Sequence, residues 1–341
     1  MYKENFEFFP STRYMGSKNK IIHSIWDILK DYEFNSFYDA FAGSNVVSFF
    51  MKCMGKQVIT NDFMMKSFVE SKAMIENSNV QLNDEDVDFL LSNENDSCFI
   101  SKKFKNLYFS DKENQFLDKV RGNISSLKDE YKRAIALSSL SRACIKKRPR
   151  GIFTYVGHRY DDGRKDIKKT LKQHFVSNVS IINNAIFDNK KENFSNNLQT
   201  ENLNIKADLV YLDPPYYSQK SDNDYVRRYH FVEGLVKNWK GLEIQEHTKT
   251  KKFKSYKSPF SKKETTYTEF DTLFQRFSDS IIVISYSSNS LPTKDEMVTI
   301  LKKYKSNVVV HEIDHLYSFG NQNHKIGNNS NRVKEYLFIG V

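Results

Sequence analysis

Short apolar runs alternate with amphipathic stretches at the start of the chain. "SFYDAF" (36–41) predicts a strand, Asn45 to Met54 a helix and "KQVIT" (56–60) a second strand, with another helix after Asp62. This βαβ rhythm is the signature of a parallel sheet with covering helices. Between residues 70 and 178 the rhythm changes. Helical periodicity in "KENQFLDKVRGNI" (112–124) and "EYKRAIALSSLSRACI" (130–145) leads into an expected hairpin, "GIFTYVGHRYDDGRK" (151–165). The α/β rhythm returns with "VSIINNAIF" (179–187), "ADLVYL" (207–212), "SIIVISY" (280–286), "SNVVVHEI" (306–313) and "VKEYLFIGV" (333–341). Polar residues 240 to 268 read as a mobile loop, and no internal repeat is present. The expectation is a doubly wound, mostly parallel α/β domain in two parts, 1–69 and 179–341. A largely helical insertion carrying the hairpin, 70–178, separates them.

The run at 209–212 ends abruptly: Asp213 is followed by Pro214 and Pro215, then by Tyr216 and Tyr217. Proline has no N–H and a locked φ, so a buried strand cannot pass this point. The corner suits one chemistry. An exocyclic amine on a heteroaromatic base is a poor nucleophile, because its lone pair is delocalised into the ring. Two acceptors taking both N–H protons push that nitrogen towards sp³. The Asp213 carboxylate is one acceptor, and the Pro214 carbonyl, aimed by the locked backbone, is the other. Tyr216 offers a face on which a flipped-out base can stack, with Tyr217 as the second choice. Open α/β sheets bind ligands at this end of a central strand.

Upstream, the first strand delivers Asp39 and Phe41 into a small-residue turn, Ala42-Gly43-Ser44, before a helix. Small residues allow close backbone approach to a ligand, and a helix N-terminus offers free N–H groups. Asp62 ends the next strand nineteen residues after Gly43, the position from which such folds grip ribose hydroxyls. Only Gly43 of a G-x-G-x-x-G pattern is present, which excludes the nicotinamide version and leaves another adenosine ligand.

Composition narrows the partners. The 341 residues carry a net charge of +10, which favours a polyanion over an acidic protein surface. Cys53, Cys98 and Cys144 are far apart and form no C-x-x-C pair, against a disulfide framework or a structural zinc site. The N-terminal stretch has no apolar h-region and no window approaches a membrane span, so a soluble, cytoplasmic monomer is expected. "HEIDH" (311–315) matches a zinc-protease pattern, but that chemistry needs a helix and "NVVV" before it reads as strand; no metal is assigned. Basic residues cluster in the insertion: Lys146, Lys147, Arg148, Arg150, Arg159, Arg164 and Lys165 are candidate DNA contacts. A second cluster, 247–263, holds seven lysines, no acid, and Phe253, Tyr256 and Phe260. It reads either as a solvated loop or as a flap that closes on DNA.

"DPPY" after a buried strand, with "RYMGSK" and then "FAGSN" upstream of it, resembles the D12-class, Dam-like DNA adenine-N6 methyltransferases of the α-group. The resemblance covers most of the chain. It implies a Rossmann-like methyltransferase domain, an inserted target-recognition region, S-adenosylmethionine (AdoMet) as methyl donor, and a flipped adenine in double-stranded DNA as acceptor. By position, Tyr14 and Lys18 match cofactor contacts, Asp62 the ribose ligand and Asp213 the acid beside the methyl donor. Phe187 matches the apolar cover of the cofactor's adenine. Asn45 stands where the family turn has a second glycine, and Asn tolerates positive φ better than most residues. The segments 153–166 and 223–235 look like the branch found beside restriction enzymes, which implies a paired restriction endonuclease. Cytosine-N4 methylation and a catalytically idle DNA-binding relative are the alternatives; Asp rather than Ser at 213 speaks against the first, and the intact "DPPY", Lys18 and Asp62 against the second.

Overall fold

The structure is a computed structural model that describes residues 3–92, 96–157, 163–217, 224–256, 258–316 and 332–341. Its framework is a seven-stranded sheet: β1 (Ser36–Asp39), β2 (Gln57–Asn61), β3 (Phe194–Asn196), β4 (Leu209–Leu212), β5 (Ile281–Ser287), β6 (Val308–Leu316) and β7 (Arg332–Gly340). The order is β3-β2-β1-β4-β5-β7-β6, with β1 to β5 parallel and β7 antiparallel between β5 and β6. The helices are α1 (Ile22–Leu29), α2 (Val46–Cys53), α3 (Met65–Ser71), α4 (Asp84–Leu91), α5 (Phe99–Lys103), α6 (Asp111–Ile124), α7 (Glu130–Lys147), α8 (Leu171–Ala185), α9 (Tyr225–Lys237), α10 (Lys263–Arg276) and α11 (Lys294–Leu301).

Strand alternation sorts the core onto two faces. Phe37, Val58, Leu209, Tyr211 and Val283 pack with α1, α2 and the helices of 70–185. Tyr38, Val210, Leu212, Ile282 and Ile284 pack with Phe270 and Phe274 of α10 and Met297 of α11. Central β4 is buried along its whole length, as a strand covered on both faces must be. Helices α4 to α8 add Leu90, Ile100, Leu117, Ile135 and Phe175 to the first core, on the same side of the sheet as α1 and α2.

Three expectations change. Residues 179–187 are no strand: Phe175, Val179, Ile182 and Ala185 are buried at helical spacing in α8. The boundary expected at 178/179 therefore falls inside a helix. The chain rejoins the sheet at β3, a short edge strand whose Phe194 is 42% exposed, so it lacks an apolar pattern. Of the hairpin expected at 151–165, residues 158–162 lie outside the described residues, and none of 151–157 or 163–165 is strand. There the buried Arg148 guanidinium donates to the carbonyls of Ile152, Tyr155 and Gly157, taking acceptors that a ladder would need. The third change is in 240–268: Ile244 and Phe253 form an isolated bridge, and α10 already begins at Lys263.

The strand expected through "HEIDH" is present as β6. Residues 317–331, between β6 and β7, lie outside the described residues. No helix among the described residues is long and apolar enough to cross a membrane.

Candidate active site

Three carboxylates meet where β1, β2 and β4 end side by side. Asp39 is the last residue of β1, Asp62 follows β2 and Asp213 follows β4. All three line one cleft of about 630 Å³, together with Tyr14, Lys18, Phe41, Gly43, Phe63, Pro215 and Tyr216. Pro214, between Asp213 and Pro215, is buried.

The turn after β1 is built for close approach. Gly43 has φ +50°, and a Cβ there would come within 3.2 Å of the Tyr14 ring. Tyr14 is itself stacked on Tyr229 of α9 at 5.2 Å. Asn45 takes φ 62° as α2 begins, and its buried carboxamide donates to the Ser67 carbonyl at 3.1 Å. An asparagine thus performs the left-handed turn that a second glycine would allow.

Asp62 accepts the amides of Gly43 and Met64, both at 2.8 Å, so one carboxylate clamps the turn after β1 to the start of α3. Burial pushes its carboxyl up to about 6, against the pull of those amides. Asp39 accepts from Ser48 of α2 at 2.5 Å, while its Oδ1 is buried with no protein partner among the described residues. Burial raises Asp39 to about 7, and the nearby Asp213 adds to the effect.

Asp213 is 17% exposed towards the cleft, and Lys18 Nζ lies 2.9 Å from its Oδ1 and 2.8 Å from its Oδ2. Burial holds its carboxyl above the ordinary range; Lys18 opposes this and Glu335 reinforces it. The Lys18 ammonium also donates to the Tyr216 hydroxyl at 2.7 Å and to the Gly16 carbonyl at 3.2 Å. The Tyr216 ring meets Tyr286 edge to face at 4.8 Å.

Of the expected cofactor residues, Tyr14, Lys18, Asp39, Phe41, Gly43, Asp62 and Asp213 converge on this cleft, and Phe187 does not. Phe187 follows α8 and packs on α2, against Phe49 at 5.8 Å and under Lys52 Nζ at 4.7 Å. It stands just past the end of a helix where a strand was expected. Phe63, directly after Asp62, lines the cleft, a position readable from "NDF" alone.

The expected DNA contacts divide. Arg148 is fully buried, with its guanidinium 5.1 Å from the Tyr108 ring centre, and cannot touch DNA. Lys147 donates to the carbonyls of Ile167 and Lys169 and pairs with Glu113, and Arg164 donates to the Arg148 carbonyl at 2.8 Å. These three hold the chain together after α7 by donating to backbone carbonyls of the irregular segment that follows it, and Arg164 also satisfies the C-cap carbonyl of α7 itself. Lys146 and Arg150 are half-buried, Lys165 is exposed, and Arg159 lies outside the described residues.

A parallel sheet with a small-residue turn after its first strand, an acid after its second and Asp-Pro-Pro-Tyr after its fourth defines an α/β methyltransferase domain. The chain belongs to the D12 class N6 adenine-specific DNA methyltransferase family, whose model matches residues 14–300. It is 29% identical to Type II methyltransferase M2.HphI of Haemophilus parahaemolyticus, over 97% of each chain. Type II methyltransferase M.CviAII of Paramecium bursaria Chlorella virus 1 is 27% identical over 96% of this chain and 97% of its own length. Modification methylase StsI of Streptococcus sanguinis is 26% identical over 87% of this chain, which spans 47% of that longer protein.

Proposed function

We propose that the protein takes AdoMet as methyl donor and methylates a flipped-out adenine in double-stranded DNA, protecting that DNA from a paired restriction endonuclease. The names of the relatives, type II methyltransferases and a modification methylase, support the protective role. The reading extends to a cytoplasmic monomer.

The cleft fits a cation that carries an adenosine. Its walls hold three carboxylates against one lysine, and the Asp39 Oδ1 is an orphaned buried acceptor. Such an atom is costly unless a ligand donor meets it. AdoMet, when bound, supplies an electrophilic methyl group on a positively charged sulfur. Asp39 would face its cationic end, Asp62 its ribose hydroxyls, and Phe63 its adenine ring, with Tyr14 and Phe41 closing the walls and Gly43 permitting the approach.

The observation that carries the reading is the Lys18 ammonium lying across both oxygens of Asp213. It marks a place where an N–H donor is held by the corner that ends β4. A substrate amine entering there would meet the Asp213 carboxylate and the Pro214 carbonyl, and Tyr216 would offer its ring to the base. Asp213 must be ionised to accept, so transfer should fall as pH drops through its raised value.

Asp213→Ala should lower single-turnover transfer of tritiated methyl from AdoMet to plasmid DNA by at least about 10²-fold, the scale of removing one key polar group. DNA affinity and melting behaviour should stay near those of the wild type. A variant that keeps more than about a tenth of the rate removes Asp213 from the centre.

A further inference from the structure

Behind Asp213 lies a second carboxylate that no motif announces. Glu335 sits in β7, opposite Ser287 of β5, and is 1% exposed. Its Oε1 accepts from Ser285 Oγ at 2.7 Å and from the Tyr216 hydroxyl, and lies 3.4 Å from Lys18 Nζ. Tyr216 also lies 2.9 Å from Asp213 Oδ1. A phenol has one proton, so it can serve only one carboxylate at a time. Lys18 donates to the phenol oxygen, and the closer carboxylate is Glu335. The phenol is within reach of both carboxylates, and each time its proton turns to Glu335 the lone pairs of Asp213 are left to N–H donors.

Charge gives Glu335 a second task. When a substrate amine takes the acceptors of Asp213, the Lys18 ammonium must leave them. A buried ammonium without a counter-charge is strongly disfavoured. Glu335 is already within ion-pair distance of Nζ, so a small swing of the lysine keeps it paired.

We propose that Glu335 is a positioning residue of the methyl-transfer centre, holding the Tyr216 hydroxyl and receiving the Lys18 ammonium as the substrate amine displaces it from Asp213. The inference rests on the function proposed above. The groups acting on Asp213 from the surrounding elements are Lys18 before α1, Glu335 on β7, Tyr216 in its own loop, Tyr211 on β4, Tyr225 on α9 and Asp39 on β1.

The test uses the full chain with Glu335→Gln, Lys18→Met and the double variant. Two quantities are measured: melting temperature of the ligand-free protein, and single-turnover methyl transfer from tritiated AdoMet to plasmid DNA between about pH 5 and 9. Glu335→Gln should slow transfer about ten- to hundredfold, the scale for removing an outer partner of a site residue. Its acid limb should move to lower pH, because the negative neighbour that raises Asp213 is gone. AdoMet affinity by calorimetry should stay within about twofold, as Glu335 does not line the cleft. Lys18→Met should cost more melting temperature in the wild-type background than in Glu335→Gln, since it leaves two carboxylates facing each other. An unmoved acid limb together with additive melting losses overturns the proposal, whatever the size of the rate loss. A wild-type protein that transfers no methyl group overturns the function instead, and the melting cycle then decides the Lys18–Glu335 pairing alone.

Discussion

Arg148 and Lys18 are both cations in polar stretches of sequence, and both are buried. Arg148 ties three carbonyls of the following loop, and its planar fork lies between the rings of Tyr108 and Tyr155. Removing it leaves those carbonyls unpaired in a buried site. Arg148→Ala should therefore destabilise the protein by about 3–5 kcal/mol, as breaking a buried polar cluster does. Arg148→Lys should rescue little, because one ammonium cannot reproduce a planar, multidentate grip. Denaturant melts check both. The salt dependence of DNA binding should not change for Arg148→Met, which removes the charge and so separates this role from a phosphate contact. Lys18, by contrast, spends its charge on Asp213 and Tyr216, at the floor of the cleft.

At the scale of an element, the lysine-rich stretch 247–263 is a strap with buried anchors. Phe253 and Phe260 are fully packed, and Tyr256 donates to Glu233 of α9. Glu233 also accepts the amides of Met65 and Lys66, both at 2.9 Å, so the strap is joined to the start of α3 beside the cleft. Lys249, Lys254, Lys262 and Lys263 stay exposed on it. Replacing these four with Gln should flatten the slope of log affinity against log salt by about 0.9 for each phosphate that is no longer neutralised. The methylated sequence should be unchanged, because phosphate contacts carry no base information. Salt-titrated binding and modification-aware sequencing test the two halves. Phe253→Ala should act differently, costing about 3–5 kcal/mol of stability by opening the packed anchor. The strap was legible as basic and aromatic. Its anchoring was not, because Glu233 ties it to the amides of Met65 and Lys66, 168 and 167 positions from that carboxylate in the chain.

For the whole molecule, the convergence of acids on one cleft ties stability to pH and ligand charge. Asp39 and Asp62 have folded carboxyls near 7 and 6 against an ordinary 3.8. A raised folded value means that these groups favour the fold most below about 3.8, and that this contribution drains as pH rises through 6 to 7. A cationic ligand favours the ionised forms, so its stabilising effect should grow over that window. The rise in melting temperature caused by AdoMet should be larger at pH 8 than at pH 5. The rise caused by S-adenosylhomocysteine, whose sulfur is neutral, should vary less. Equal pH dependence for the two ligands would mean that the charge of the cleft does not select the cation.

Local pattern was enough for the parallel strands β1, β2, β4 and β5 and for the acids that end three of them. Apolar runs, the small-residue turn and the double proline act within a few residues, and a strand that cannot continue must present its next side chain at the sheet's edge. The same holds for α6 and α7, whose spacing and N-caps, Ser110 and Asp129, lie within their own segments. Long-range assembly settled the rest. Lys18 reaches Asp213 across 195 positions because β4 inserts beside β1. Glu335 joins them only because β7 pairs antiparallel with β5. Which side chains meet in the cleft depends on which elements become neighbours, and strands that pair directly, Phe37 of β1 with Leu209 of β4 and Ile59 of β2 with Phe194 of β3, lie far apart in the chain.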